Sequence, residues 1–106
     1  MAPDMLDNLL GMLEGGQDSP MLRFTLGDLY LKRGDAEAAA THLAEAVRQD
    51  SGYSAAWKLY GRALAQSGRT TEAKEAFERG IEVAEAYGDK QAAKEMRVFL
   101  KRLQRQ

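Results

Sequence analysis

Apolar residues recur along this chain at three- and four-residue intervals, in segments separated by glycine-bearing stretches such as Gly15-Gly16 and Gly34-Asp35. That spacing places apolar side chains on one face of an α-helix, and glycine interrupts helices. β-branched residues are sparse, whereas Ala, Leu, Glu, Lys and Arg, which favour helices, are abundant. The pattern predicts an all-α protein of about six helices joined by short connections.

The two outer helices are predicted at residues 3–14 and 89–104. Pro3 suits the first turn of the leading helix, where its missing N–H costs nothing, whereas Gly11 weakens the interior of that helix by roughly 1 kcal/mol. Residues that can cap a helix stand at the predicted starts of the later helices: Ser19, Asp35, Thr70 or Thr71, and Asp89.

The segment 20–53 repeats itself in the segment 54–87, at a shift of 34 residues. The corresponding positions are Gly27 and Gly61, Gly34 and Gly68, Ala39 and Ala73, and Leu43 and Phe77. A fixed period of this length predicts stacked copies of one helical hairpin. Such stacks expose a curved surface that usually binds other proteins.

The small residues of the repeat have a mechanical explanation. Gly27 and Gly61 are expected where the two helices of a hairpin cross closely, because a bulky side chain there would push the helices apart. A buried misfit of that kind costs roughly 1–3 kcal/mol. Leu43 and Phe77 are expected to be large side chains that fill the space between adjacent hairpins.

The residue types at these spacings resemble the tetratricopeptide repeat family. The second copy supplies Trp57, Tyr60, Gly61, Leu64, Ala73, Phe77 and Gly80, and the first supplies Arg23, Leu26, Gly27, Tyr30, Ala39, Leu43 and Ala46. The first copy departs at Arg23, where Trp57 would correspond, and Ser51 and Glu85 replace the family's terminal proline. The resemblance implies a single domain, 1–106, in which a right-handed α-α superhelix places two repeats between a leading helix and a C-terminal capping helix.

In tetratricopeptide repeat proteins the first helix of each pair lines a concave groove, so the resemblance implies a non-catalytic adaptor that binds a partner segment there. The residues expected to face the groove are Met21, Phe24, Asp28, Leu31, Lys32, Ala55, Lys58, Leu59, Arg62 and Gln66. Lys58 and Arg62 lie one turn apart and are expected to hold a carboxylate, Arg62 as a planar fork. The expected partner offers both apolar and acidic groups.

Phe24 and Leu31 are the expected apolar anchors of the groove, unless the leading helix folds back and covers them. Some family members hold the C-terminal carboxylate of a peptide with a lysine–asparagine clamp. Asn8 is the only asparagine in this chain and lies outside the repeats. The resemblance is therefore not extended to the binding of chaperone tails.

Composition excludes several classes of function. The chain has 106 residues, a formal net charge of -1 and no cysteine, which rules out disulfides, thiolate metal sites and cysteine nucleophiles. His42 is the only histidine and is expected on the surface, so we expect no enzyme activity, no metal and no cofactor. No apolar run approaches the roughly 20 residues that cross a membrane, and the acidic start does not suit a signal peptide. We therefore expect a cytoplasmic protein.

The placement of charge leaves two alternatives open. The first twenty residues carry only acids, namely Asp4, Asp7, Glu14 and Asp18, and the last stretch carries Lys90, Lys94, Arg97, Lys101, Arg102 and Arg105. Neighbouring copies could associate weakly from head to tail, as a self-assembling structural protein that uses its terminal helices. The basic helix could instead contact nucleic-acid phosphates, although Asp89 and Glu95 interrupt it and disfavour that alternative.

Overall fold

The computed structural model describes residues 4–106, which form six helices and no strand. The helices are α1 (Met5–Glu14), α2 (Pro20–Lys32), α3 (Ala36–Gln49), α4 (Ser54–Gln66), α5 (Thr70–Ala86) and α6 (Lys90–Gln104). The all-α prediction is confirmed. The expected position of Pro3 in the leading helix lies outside the described residues.

Side-chain caps fix the starts of four helices. Ser19 accepts a hydrogen bond from the Leu22 amide at 3.1 Å, which satisfies a backbone donor that has no partner within the helix. The carboxylates of Asp4, Asp35 and Asp89 do the same for the amides three residues later. The expected cap by Thr70 or Thr71 is wrong. The helix already begins at Thr70, so its N-cap residue is Arg69, whose side chain makes no capping hydrogen bond.

Glycines end the first helix of each hairpin in the same way. Gly34 and Gly68 have φ angles of 82° and 78°, a left-handed conformation that residues with a Cβ rarely adopt. At each site the following amide donates back across the turn, as from Asp35 to the Tyr30 carbonyl at 2.9 Å. This pairing satisfies carbonyls that the helix end leaves open, so the repeated glycines set the length of both helices.

The hairpins α2–α3 and α4–α5 pack side by side, and α6 follows against α5 and α4. The main core runs through α3, α4, α5 and α6 and contains fully buried alanines, including Ala39 and Ala73, beside Leu43, Leu64 and Phe77. Alanine permits close approach of the helices, and the larger side chains fill the space that remains. The stack is elongated, at 45 × 29 × 19 Å.

Leu43 and Phe77 have a packing role that the sequence did not predict. Each packs onto the glycine of its own hairpin, rather than only between adjacent hairpins. A Cβ placed on Gly61 would lie 2.5 Å from Cε1 of Phe77, and one placed on Gly27 would overlap Cγ of Leu43. The close crossing expected at both glycines is therefore present, and the large side chain opposite each glycine sets its distance.

The first helix caps one end of the stack and contacts only α2 among the described helices. It buries Leu6 against Leu22 and Leu26. Phe24 and Leu31 pack instead against the main core cluster and are not among the residues packed around Leu6, so the described part of the leading helix does not fold back over them. No helix within residues 4–106 has the length and apolar character needed to cross a membrane.

Candidate functional site

The first helices of the hairpins, α2 and α4, and the final helix α6 lie in a row, since α4 contacts both of the others. Two neighbouring hollows follow this row. The α2–α4 depression has a volume of roughly 180 Å³, and the α4–α6 pocket has a volume of roughly 270 Å³. Arg62 and Gln66 of α4 line both, so the two hollows form one continuous groove.

The α2–α4 depression gathers most of the predicted groove residues. Its lining consists of Asp28, Leu31, Lys32, Leu59, Arg62 and Gln66. Asp28 and Lys32 form an ion pair at 2.9 Å, one helical turn apart. Because each neutralises the other, α2 presents little unbalanced charge in this part of the groove. Leu59 is only 7% exposed and forms its floor.

The α4–α6 pocket has an aromatic floor between two cations. Phe99 stacks on Phe77 with ring centroids 5.5 Å apart and an interplanar angle of 8°. The Arg62 guanidinium carbon lies 5.6 Å from the centroid of the Phe99 ring, and that of Arg102 lies 5.9 Å from it. Ala65 and Leu103 add apolar surface. Cations at these distances are attracted to the face of an aromatic ring, so the ring helps to hold both guanidiniums in the lining of the pocket.

Neither of these arginines has a carboxylate partner within residues 4–106. The ion pairs of the described chain use other cations, including Arg97 with Glu85 at 2.8 Å. A guanidinium offers several N–H donors in a planar fork that matches a carboxylate. Two unpaired forks beside an apolar floor suit a ligand that places an acidic group next to an apolar one.

Lys58 has an ion-pair partner within the fold. Lys58 was expected to act with Arg62 on a carboxylate, but its ammonium donates to Oε1 of Glu95 on α6 at 2.9 Å. This contact holds the pKa of Glu95 below its usual value. The interaction ties α6 to α4 and leaves Lys58 neutralised. Arg102 takes its place as the second cation beside Arg62.

The other expected groove residues have mixed surroundings. Met21 is 71% exposed and makes no part of either hollow. Phe24 is half-buried and stacks on Tyr53 with centroids 5.0 Å apart. Ala55 is also half-buried. Leu31 is half-buried in the depression, which leaves it as the apolar contact that α2 offers there.

His42 is more constrained than a surface histidine. Its ring stacks on Tyr30 with centroids 5.4 Å apart, and its Nδ1 lies 3.2 Å from Nη1 of Arg23. Partial burial, followed by the nearby Arg23 charge, lowers the pKa of His42. Since the arginine can only donate, Nδ1 accepts, which favours the neutral ring. No group of three His, Asp or Glu residues within 4–106 is placed to hold a metal ion.

Sequence reasoning missed Phe99 and Arg102 as groove residues because it assigned the groove to the first helices of the two hairpins and placed the final helix outside it. The sequence did contain one signal. Phe99 and Arg102 share a face of α6 with Ala92 and Glu95, because these four positions are spaced by three, four and three residues. The salt link from Glu95 to α4 could not be read from spacing alone, since it depends on how α6 docks.

Comparison with known proteins agrees with this architecture. A sequence profile described as tetratricopeptide repeat matches residues 30–94. The chain is 50% identical over 101 residues to a TPR repeat-containing protein of Pseudomonas aeruginosa, which covers 95% of this chain and 96% of that protein.

Two solved structures have similar folds. The solution structure of a protein from Bordetella parapertussis gives a TM-score of 0.83 at 40% identity and covers 98% of this chain and 90% of that one. The crystal structure of a tetratricopeptide repeat domain protein from Salinibacter ruber gives 0.75 at 25% identity and covers 82% and 97%. These matches confirm the resemblance and the helical-repeat fold.

Proposed function

We propose a function from the premise that this chain belongs to the tetratricopeptide repeat family. Proteins of this family are generally non-catalytic scaffolds whose repeats mediate protein–protein interactions. In this chain the groove is proposed to bind an extended segment of a partner protein that places an acidic side chain beside a large apolar one. The observation that carries the proposal is the α4–α6 pocket, where Arg62 and Arg102 flank Phe99 without carboxylate partners in the described part of the chain.

The chemistry of the pocket supports this choice of ligand. A carboxylate seated between Arg62 and Arg102 would receive charge-assisted hydrogen bonds, each worth roughly 1.5–3 kcal/mol when shielded from water. An apolar side chain beside it would cover Phe99 and Leu103, which together with Phe77 and Ala65 form the apolar lining. The apolar contact supplies burial and the carboxylate supplies selectivity.

The rest of the groove gives the bound segment a direction. From the pocket the groove continues past Gln66 into the α2–α4 depression, where Leu31 offers an apolar contact. The Asp28–Lys32 pair there is internally neutral. We therefore expect the acidic anchor in the pocket and an uncharged, partly apolar stretch across α2. Of the groove residues expected from the sequence, Leu31, Arg62 and Gln66 are retained as contacts.

The experiment is a selection of displayed random peptides on the immobilised protein. A parallel selection uses the double variant Arg62→Ala, Arg102→Ala, after circular dichroism has shown that it folds. The wild type should enrich peptides with Asp or Glu next to Phe, Leu, Met or Trp. The best of these should bind the double variant at least tenfold more weakly, which corresponds to about 1.4 kcal/mol.

A matched variant controls for the loss of two positive charges. Lys94→Ala, Lys101→Ala removes the same charge from exposed positions of α6 outside both hollows. It should retain the peptides selected by the wild type. Equal loss with both variants would mean that attraction depends on overall charge, as expected for nucleic acid or any polyanion, and would overturn the pocket as the site. Enrichment of peptides without acidic residues would contradict the proposed ligand.

A further inference from the structure

Gly11, in the middle of α1, has no packing role within the described chain. At three other glycines inside helices, Gly27, Gly61 and Gly80, an added Cβ would overlap a neighbouring side chain. At Gly11 an added Cβ would meet nothing within 4 Å. Glycine inside a helix costs roughly 1 kcal/mol relative to alanine. Nothing in the packing of a single copy therefore offsets the destabilising effect of glycine at this position.

Gly11 lies in a stripe of acids on the exposed side of α1. Asp4, Asp7 and Glu14 stand at spacings of three and seven residues and share one face of the helix with Gly11. Asp4 is tied to Arg33 at 2.6 Å, whereas Asp7 and Glu14 have no ion pair within residues 4–106. This acidic stripe is bordered by exposed methionines, Met5 at 61% and Met12 at 41%.

The exposed side of α6 carries a stripe of opposite charge and similar length. Lys90, Lys94, Arg97 and Lys101 are spaced by four, three and four residues, so they also share one face. All four are exposed, and only Arg97 pairs with a carboxylate within the described residues. Val98, which is 44% exposed, borders this basic stripe. Each stripe spans about three helical turns, or roughly 15 Å.

We propose that the two stripes bind each other between copies of this chain, with α1 of one copy seated on α6 of the next. Gly11 would allow α6 to approach closely, as Gly27 and Gly61 do for their partner helices within the stack. The lysines would face Asp7 and Glu14, and the methionines would cover apolar surface around Val98. A second copy is the occupant whose surface complements both stripes in charge and extent.

The contact is heterologous, since each copy uses a different surface for each neighbour, and such contacts can propagate into rings or filaments. It is dominated by exposed charge, and each exposed ion pair is worth at most about 1 kcal/mol. The association is therefore weak and salt-dependent. The Debye length falls from about 10 Å at 0.1 M salt to about 3 Å at 1 M, and the association should disappear over this range.

The test uses two variants that each block one surface. Gly11→Gln places a long polar side chain in the acidic stripe without disfavouring the helix, and Lys94→Glu, Lys101→Glu reverses the basic stripe. Sedimentation at several concentrations in low salt should show the wild type above the mass of one chain. Each variant alone should remain at one chain, and an equimolar mixture should form a dimer and nothing larger, because one intact surface of each kind remains.

Each alternative outcome overturns the proposal in a recognisable way. A wild type that stays at the mass of one chain at every concentration would show that the stripes do not join copies of this chain. A dimer of the lysine variant alone would indicate a symmetric contact through α1. A mixture that stays monomeric would show that the intact α1 of one variant does not bind the intact α6 of the other. Gly11→Ala is the control for folding, and it should raise the melting temperature because it removes the cost of glycine.

Discussion

The two repeats share one backbone plan but differ in what their side chains do. In residues 20–53 every cation is paired with a carboxylate: Arg23, Lys32, Arg33 and Arg48. In the second half of the stack, Arg62 and Arg102 lie over Phe99 and have no such partner among residues 4–106. The first repeat thus uses its charges within the fold, whereas the second half keeps charges available for a ligand.

The same contrast appears at the position where the repeats differ most. Trp57 packs beside Gly80, and its indole N–H donates to the Ser51 carbonyl at 2.9 Å. The corresponding Arg23 donates two hydrogen bonds of 2.9 Å to Asp18 and contacts His42 instead. At this position of the repeat, both side chains therefore connect to a neighbouring segment, Trp57 mainly by apolar packing and Arg23 by a polar network.

The largest effect should come from the close helix crossing that both repeats share. Gly61→Leu would drive a side chain into Phe77, whose ring is stacked on Phe99. We expect a loss of about 3 kcal/mol or more, enough to unfold much of a small domain. Thermal melting followed by circular dichroism measures it. An unchanged melting temperature would show that α4 and α5 cross elsewhere.

Trp57→Ala should produce the next largest loss, about 3 kcal/mol, since it empties the space between α4 and α5 and removes the bond to Ser51. Urea denaturation gives the free energy of unfolding. Trp57→Phe serves as the matched variant, because it keeps an aromatic ring and should lose clearly less. If both variants lost the same amount, the hydrogen bond rather than packing would dominate at this position.

Arg23→Ala should cost less than Trp57→Ala, because Asp18 is 36% exposed and water solvates its side of the ion pair, although the Arg23 side chain itself is only 18% exposed. The difference between the two losses is a direct measure of how the two connections differ. The loss should shrink further in high salt for Arg23 and stay constant for Trp57. A salt-independent loss at Arg23 would indicate that its aliphatic stem, rather than its charge, supports the repeat.

The smallest effect should be a pH dependence confined to the first repeat. The pKa of His42 is lowered in the fold from 6.5, so the unfolded chain binds a proton more readily than the folded one. Stability from this residue is complete above about pH 6.5 and is lost as the pH falls toward the lowered value. Melting temperatures between pH 7 and pH 5 should therefore decline in the wild type and decline less in His42→Gln.

Carboxylates do not account for a decline in that range. The pKa of Asp18 is lowered chiefly by its hydrogen bonds from Arg23, and that of Glu45 by its hydrogen bonds from Arg48. Both contribute stability that is lost only as the pH falls below their unfolded values, near 3.8 and 4.5. An identical decline in the wild type and in His42→Gln above pH 5 would rule out His42 as its source.

The sequence predicted the fold more fully than the site, and the reason is physical. Helix starts, helix ends and close crossings depend on local residue types. The sequence alone therefore predicts Ser19 as a helix cap, Gly34 as a helix end and Gly61 as a crossing point. The groove depends on how α6 docks on α4, and the spacing of apolar residues along the chain does not predict that docking. Lys58 and Glu95 are 37 residues apart, so the sequence could not distinguish their ion pair from two solvated charges. Without that contact between α4 and α6, the sequence offered no reason to place Arg102 beside Arg62.

The central claim is that the α4–α6 pocket, and not the first repeat, anchors a partner. The most direct test is a nuclear magnetic resonance titration of isotope-labelled protein with the tightest acidic peptide from the selection. The amides of residues 62–66 and 99–106 should shift first and furthest, and the side-chain signals of Arg62 and Arg102 should move with them. Shifts centred on Met21, Phe24 and Asp28, with the pocket unchanged, would contradict the account.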